Sequence, residues 1–155
     1  MNSFALLINT LLFIGKAPVA PGTIGSIFAL IIWWLCNPIS ITLAIIFLIL
    51  MSFLSYYTIS ITLEHTNEKD PQYIVIDEAI GMWISLLSLE SYRNDIFYIL
   101  LAFILFRLLD ILKPSLIYRV QLIPGPLGIL LDDIIAGVIT YLIITGIILK
   151  MMATT

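Results

Sequence analysis

Five of the ten acidic residues, Asp77, Glu78, Asp110, Asp132 and Asp133, lie within or at the edge of long apolar runs. At the centre of a membrane helix each carboxylate costs about 2.5–3.5 kcal/mol on the translocon scale, and less near an interface. Five such penalties in 155 residues call for mutual compensation. Clustered carboxylates without a Cys or His cluster favour a hard divalent cation such as Mg²⁺. Two cations accompany them in the stretch Phe106-Arg107-Leu108-Leu109-Asp110-Ile111-Leu112-Lys113-Pro114. Its charges recur every three residues, about 300° apart on a helix, so Arg107, Asp110 and Lys113 share one face. Arg and Lys together favour an anionic substrate, most often phosphate. The chemistry such a set could perform is metal-assisted attack of water on a phosphate.

Other phosphatase chemistries lack their residues. A cysteine phosphatase needs Arg six positions after its Cys, and Cys36, the only cysteine, has Thr42 there. Histidine-based lipid phosphatases need two histidines, and only His65 is present, in a polar loop where a solvated role is expected. No segment fits the DxDxT pattern of the aspartyl-phosphatases. The turn Gly22-Thr23-Ile24-Gly25-Ser26 opens a helix and could offer backbone N–H groups and hydroxyls to phosphate oxygens. It lacks the Gly-Lys-Ser/Thr ending of a P-loop, and by itself reads as a helix start.

Composition requires a membrane. The chain is 61% hydrophobic and 11% charged, with mean hydropathy +1.14. Soluble domains carry about 25% charged residues. A net charge of −3 argues against nucleic acid as a partner. The expected architecture is all-α: one domain over residues 1–155, a polytopic bundle of four to five spanning helices behind a short or interfacial N-terminal helix.

Hydropathy divides the chain into a short helix over 3–15, apolar runs at 24–35 and 39–63, and a hairpin of 73–89 and 95–113. A last helix follows at about 128–149. The Pro/Gly-dense segment 15–26, the Asn37-Pro38 turn, the polar loop 64–71, the loop 90–94 and the connector 114–128 separate them. Alternate threading puts 16–26, 64–72 and 113–128 on one side, with Lys16, Lys69, Lys113, Arg119 and nearby Arg107. Arg93 and Lys150 fall opposite, so the positive-inside rule makes the first side cytoplasmic. All five membrane acids then sit at similar depth near that face. Asp77 and Asp133 each have a glycine at i+4, Gly81 and Gly137, and Asp132 has Ala136. Small residues there let a second helix or a ligand approach the carboxylates. A purely structural role, with acids capping helix N-termini and small residues serving packing, would not account for Asp110 near a helix C-terminus.

These motifs resemble the phosphatidylglycerophosphatase A family of bacteria. The matching pieces are Gly22-Thr23-Ile24-Gly25-Ser26, Asp77-Glu78 with Gly81 and Trp83, and Phe106-Arg107 with Asp110-Ile111 and Lys113-Pro114. Gly128-Ile129 with Asp132-Asp133-Ile134 and Gly137 completes the series, in the family's order across residues 22–137. Two departures are visible: Lys113-Pro114-Ser115-Leu116 replaces Lys-Pro-Trp-Pro, and Gly125-Pro126 replaces a glycine pair. The resemblance implies a Mg²⁺-dependent enzyme of the bacterial inner membrane that converts phosphatidylglycerophosphate to phosphatidylglycerol and phosphate.

On this reading Asp77, Glu78, Asp110, Asp132 and Asp133 hold the metal, and one of them could serve as base or nucleophile. Arg107 and Lys113, freed from Asp110, neutralise the phosphate, while Thr23, Gly25 and Ser26 help bind it. The competing readings are a small ion-coupled transporter, since intramembrane carboxylates also mark ion pathways, and a structural membrane subunit. Transporter sites lie near the midplane at a repeat interface, whereas these acids gather at helix ends and no repeat is seen. The sequence carries no signal for or against a homo-oligomer.

Overall fold

The computed structural model describes residues 2–36, 40–89, 91–92 and 95–153. The Asn37-Pro38 turn, Arg93 and most of the 90–94 loop lie outside them. Seven α-helices and two short 3₁₀ turns make up the described secondary structure. They are α1 (Ser3–Asn9), α2 (Pro21–Leu35), α3 (Ile41–Leu63), α4 (Ile76–Leu86), α5 (Ile96–Leu112), α6 (Ser115–Gln121) and α7 (Pro126–Met152).

Local chemistry sets the boundaries. Asn2, Ser40 and Asp95 cap α1, α3 and α5 by accepting backbone N–H groups with their side chains. Pro21 and Pro126 stand in the first turns of α2 and α7, where a missing N–H costs nothing. Helix α2 therefore starts three residues earlier than hydropathy indicates, and Thr23, Gly25 and Ser26 lie inside it. The expected helix over 3–15 stops at Asn9, because Leu11, Leu12 and Phe13 take left-handed backbone conformations. Part of the 114–128 connector is helical, as α6.

Helix α4 is the hub, with nine of its eleven residues buried. It packs against α2, α3, α5 and α7. At about 1.5 Å per residue it is too short to cross a bilayer. Hydropathy had joined it to the buried residues Ile74 and Val75 and to the 3₁₀ turn Leu87–Leu89, which together mimic a spanning run. Among the described residues two helices, α3 and α7, are long and apolar enough to span a membrane. Their outer faces are apolar and open, as Phe53 (72% exposed) and Leu142 (61%) illustrate. Helices α2 and α5 are shorter, at 15 and 17 residues, so length supports a membrane protein but not a count of four to five spans.

Two glycines fix how α4 meets α7. A Cβ on Gly137 would overlap the Gly81 carbonyl oxygen, and one on Gly81 would lie 2.6 Å from the Asp133 carbonyl oxygen. The two backbones touch there. Trp83 donates from Nε1 to the Ala29 carbonyl (2.8 Å), tying α4 to α2. On the far side, Asn9 donates to Thr62 (2.8 Å) and accepts from Thr58 (2.6 Å), and its carbonyl accepts the Val75 N–H (2.8 Å). The entry to α4 is thereby anchored to α1 and α3.

Candidate active site

Asp77 and Glu78 occupy the first turn of α4, the positive end of its dipole. One turn later Gly81 brings α7 into contact, so Asp133, one turn before Gly137, arrives beside them. A donor oxygen of each of Asp77, Glu78 and Asp133 lies within 4.8 Å of the other two. Asp77 Oδ1, Glu78 Oε2 and Asp133 Oδ1 are buried without a hydrogen-bond partner. Buried carboxylates this close repel one another and have lost their water, a cost that a cation among them, or protonation, relieves. An all-carboxylate donor set suits a hard divalent ion, with its remaining positions left to water and phosphate oxygens. The residues present fit a metal.

These three acids form one wall of a cavity of about 390 Å³, reached also by Thr23 of α2, Arg107, Asp110 and Lys113 of α5, and Asp132 of α7. Gly22 lets α2 close over the site: a Cβ there would overlap Glu78 Oε1. Arg107 spans the gap between helices. Its Nη1 donates to Asp110 Oδ2 (2.5 Å) and Ser26 Oγ (3.4 Å), and its Nη2 donates to Thr23 Oγ1 (3.3 Å). Its Nε is buried without a partner.

Lys113 ends α5 in a left-handed conformation (φ 43°, ψ 63°), unusual for a residue with a side chain. The following Pro114 disfavours continued helix. From this cap the amine reaches Asp132 Oδ2 on α7 and comes within 4.0 Å of Asp110 Oδ1.

The five membrane acids are thus brought to one cavity but kept in two kinds of company. Asp77, Glu78 and Asp133 form a triad without a cation beside it, each keeping one buried oxygen unpartnered. Asp110 and Asp132, expected among the metal ligands, face Arg107 and Lys113, which the sequence reading had left free for phosphate. The reasons are local: a three-residue helical step puts Asp110 against Arg107, and the left-handed cap swings Lys113 over Asp132. Gly25 does not line the cavity, because it serves the contact of α2 with Val75, whose Cβ a methyl there would approach to 2.9 Å. Ser26 is fully buried behind Arg107. His65 is exposed, bonds the Ile61 carbonyl (2.8 Å) and lies outside the cavity.

The family model for phosphatidylglycerophosphatase A matches residues 7–148. This chain belongs to the phosphatidylglycerophosphatase A family. Family members named phosphatidylglycerophosphatase A include one from Escherichia coli K12, 36% identical over 127 residues, which cover 81% of this chain and 73% of that one. Another, from Haemophilus influenzae, is 33% identical over 130 residues, or 83% and 78% of the two chains. A Bacteroides thetaiotaomicron protein, provisionally named a phosphatidylinositol-3-phosphatase, is 33% identical over 152 residues and 90% of each chain. No solved structure matches the chain significantly. Membership in this phosphatidylglycerophosphatase A family makes the chain a phosphoric monoester hydrolase, and decides for an enzyme over a transporter or a structural subunit.

Sequence reasoning passed over Asp70 and Gln72, which also line the cavity from the loop before α4. Their signal was topological: threading puts that loop on the same side as the acids.

Proposed function

We propose that this protein hydrolyses phosphatidylglycerophosphate to phosphatidylglycerol and inorganic phosphate, with Mg²⁺ held by Asp77, Glu78 and Asp133. It would work in a bacterial inner membrane as a multi-pass protein with the cavity facing the cytoplasm. The observation that carries the reading is the buried carboxylate triad, each member with one unpartnered oxygen, sharing one small cavity with Arg107 and Lys113. A bound divalent cation would neutralise phosphoryl oxygens and help activate water.

The protein's own groups do the positioning. Arg107 is held at Nη1 by Asp110 and Ser26 and at Nη2 by Thr23, so its guanidinium is oriented before substrate arrives. Its partnerless Nε is a spare donor for a phosphate oxygen. Lys113, poised between Asp132 and Asp110, supplies a second positive charge as negative charge builds on the transferred group. Asp110 and Asp132 keep both cations in place and offset their charge while the cavity is empty of anion. A site at the ends of α4 and α5 lets a lipid keep its acyl chains among the apolar faces of the helices while its headgroup enters the cavity.

The test is release of inorganic phosphate from phosphatidylglycerophosphate in mixed micelles by purified protein, with phosphatidylinositol 3-phosphate as the competing substrate. Activity should rise with Mg²⁺, vanish with chelator and be lost in Asp133→Asn. Full activity in chelator would sink the metal assignment, and preference for the inositol lipid would reassign the substrate.

A further inference from the structure

Hydrolysis of an alkyl phosphate monoester expels an alkoxide, a poor leaving group unless it is protonated as the P–O bond breaks. The cavity holds six carboxyl groups: Asp70, Asp77, Glu78, Asp110, Asp132 and Asp133. Three form the triad that suits a cation. Asp110 and Asp132 are held by Arg107 and Lys113, and a carboxylate in an ion pair has no proton to give. Arg107 does not deprotonate, and the Gln72 amide is no acid. Asp70 is left. Among the described residues no ion pair engages it.

Its place suits a proton donor. Asp70 precedes Pro71 in the polar loop that leads into α4, and it lines two neighbouring clefts as well as the cavity, so it stands at the mouth. It feels Lys113 and Asp110 from α5, Asp132 from α7 and Asp77 from α4, with Glu68 and Lys69 beside it in the loop. A phosphoryl group drawn inward by the triad and Arg107 would leave its ester bond pointing outward, toward the mouth. Partial loss of water raises the Asp70 carboxyl from its ordinary value; Lys113 draws it part of the way back, and Asp110 raises it again.

We propose that Asp70 is the general acid that protonates the departing glycerol oxygen, an inference resting on the monoesterase reading given above. Water adds to phosphorus as the ester P–O bond breaks. The Asp70 proton passes to the leaving oxygen, the water's proton leaves with the released phosphate or to solvent, and Asp70 is reprotonated from solvent at the mouth.

A leaving-group series tests this. Unaltered protein and Asp70→Asn are compared on phosphatidylglycerophosphate and on alkyl and aryl phosphate monoesters, with inhibition by inorganic phosphate measured alongside. The expected result is a loss of kcat of about 10²-fold or more with alkyl leaving groups. That loss should shrink to under about threefold with 4-nitrophenyl phosphate, whose leaving group needs no proton. Inhibition by phosphate should be unchanged, and Asp70→Glu should restore part of the alkyl rate. An equal loss across the series would overturn the proposal, as would an alkyl rate within threefold of the unaltered protein's. If the unaltered protein releases no phosphate from any monoester, the reading beneath it fails instead, and that outcome is separately visible.

Discussion

Gly81→Ala isolates the contact that brings the triad together. The added methyl would stand 2.6 Å from the Asp133 carbonyl oxygen and 2.6 and 2.8 Å from two ring carbons of Phe106. Phe106 is fully buried, and the carbonyl belongs to the α7 backbone, so neither neighbour can swing aside as a flexible side chain would. Ordinary contact begins near 3.4 Å, so α7 must withdraw from α4 by about 0.8 Å. Overpacking of this kind costs about 1–3 kcal/mol, offset by up to about 1 kcal/mol from the better helix propensity of alanine. A net loss of about 1–2 kcal/mol should lower the unfolding temperature in detergent by several degrees.

The larger effect should be on function. Catalytic groups tolerate about 0.5 Å of displacement, and an error near 1 Å can cost about 10²-fold. Because Asp133 moves with α7 and Asp77 stays with α4, kcat should fall about 10- to 100-fold and Mg²⁺ affinity should weaken in parallel. Gly146→Ala is the control, since a methyl there meets nothing within 4 Å; it should leave activity and metal affinity unchanged. If Gly81→Ala unfolds earlier yet keeps full kcat and metal affinity, the triad is not positioned by this contact and the reasoning fails.

Substitutions at three further residues probe the frame around the triad. Arg107→Lys keeps the charge but cannot span Asp110, Thr23 and Ser26 at once, so kcat/KM should drop about 10²-fold in the phosphate-release assay. Lys113→Gly and Lys113→Ala should both lose activity, with the glycine variant more stable by about 1–2 kcal/mol in thermal unfolding because only alanine keeps the left-handed strain. Asn9→Ala removes the partner of the Thr62 hydroxyl and leaves Thr58 only the Ser55 carbonyl (3.2 Å), which should cost about 1–3 kcal/mol. It keeps the backbone bond to Val75, so kcat measured well below the unfolding transition should be near that of the unaltered protein.

That five of the cavity's six acids gather at one site was legible in the sequence, because a charge inside an apolar run is conspicuous and needs a partner; Asp70, in a polar loop, carried no such signal. Gly81 and Gly137 were legible as well, one turn after Asp77 and Asp133. What they did not disclose is that they meet each other, which depends on how α4 crosses α7 and not on either helix alone. Asp110 shows the same limit. Its step from Arg107 was plain, but that it pairs with the guanidinium and stands outside the Asp77, Glu78 and Asp133 cluster depended on where Asp133 and Lys113 arrive, and the latter follows from a left-handed cap that Pro114 only hints at.

Hydropathy failed where burial came from protein rather than lipid. The stretch 73–89 reads as a crossing because α4 is enclosed by α2, α3, α5 and α7, and an enclosed helix needs the same apolar side chains as a lipid-facing one. That enclosure is what the site requires. Carboxylates on a helix facing lipid could not be held close without exposing their charge to hydrocarbon. On a short helix surrounded by others, Asp77 and Glu78 can stand at a protected end, opposite Asp133, with Arg107 and Lys113 within reach. The longer α3 and α7 turn open apolar faces outward, and the short α4 inside carries two of the three clustered carboxylates.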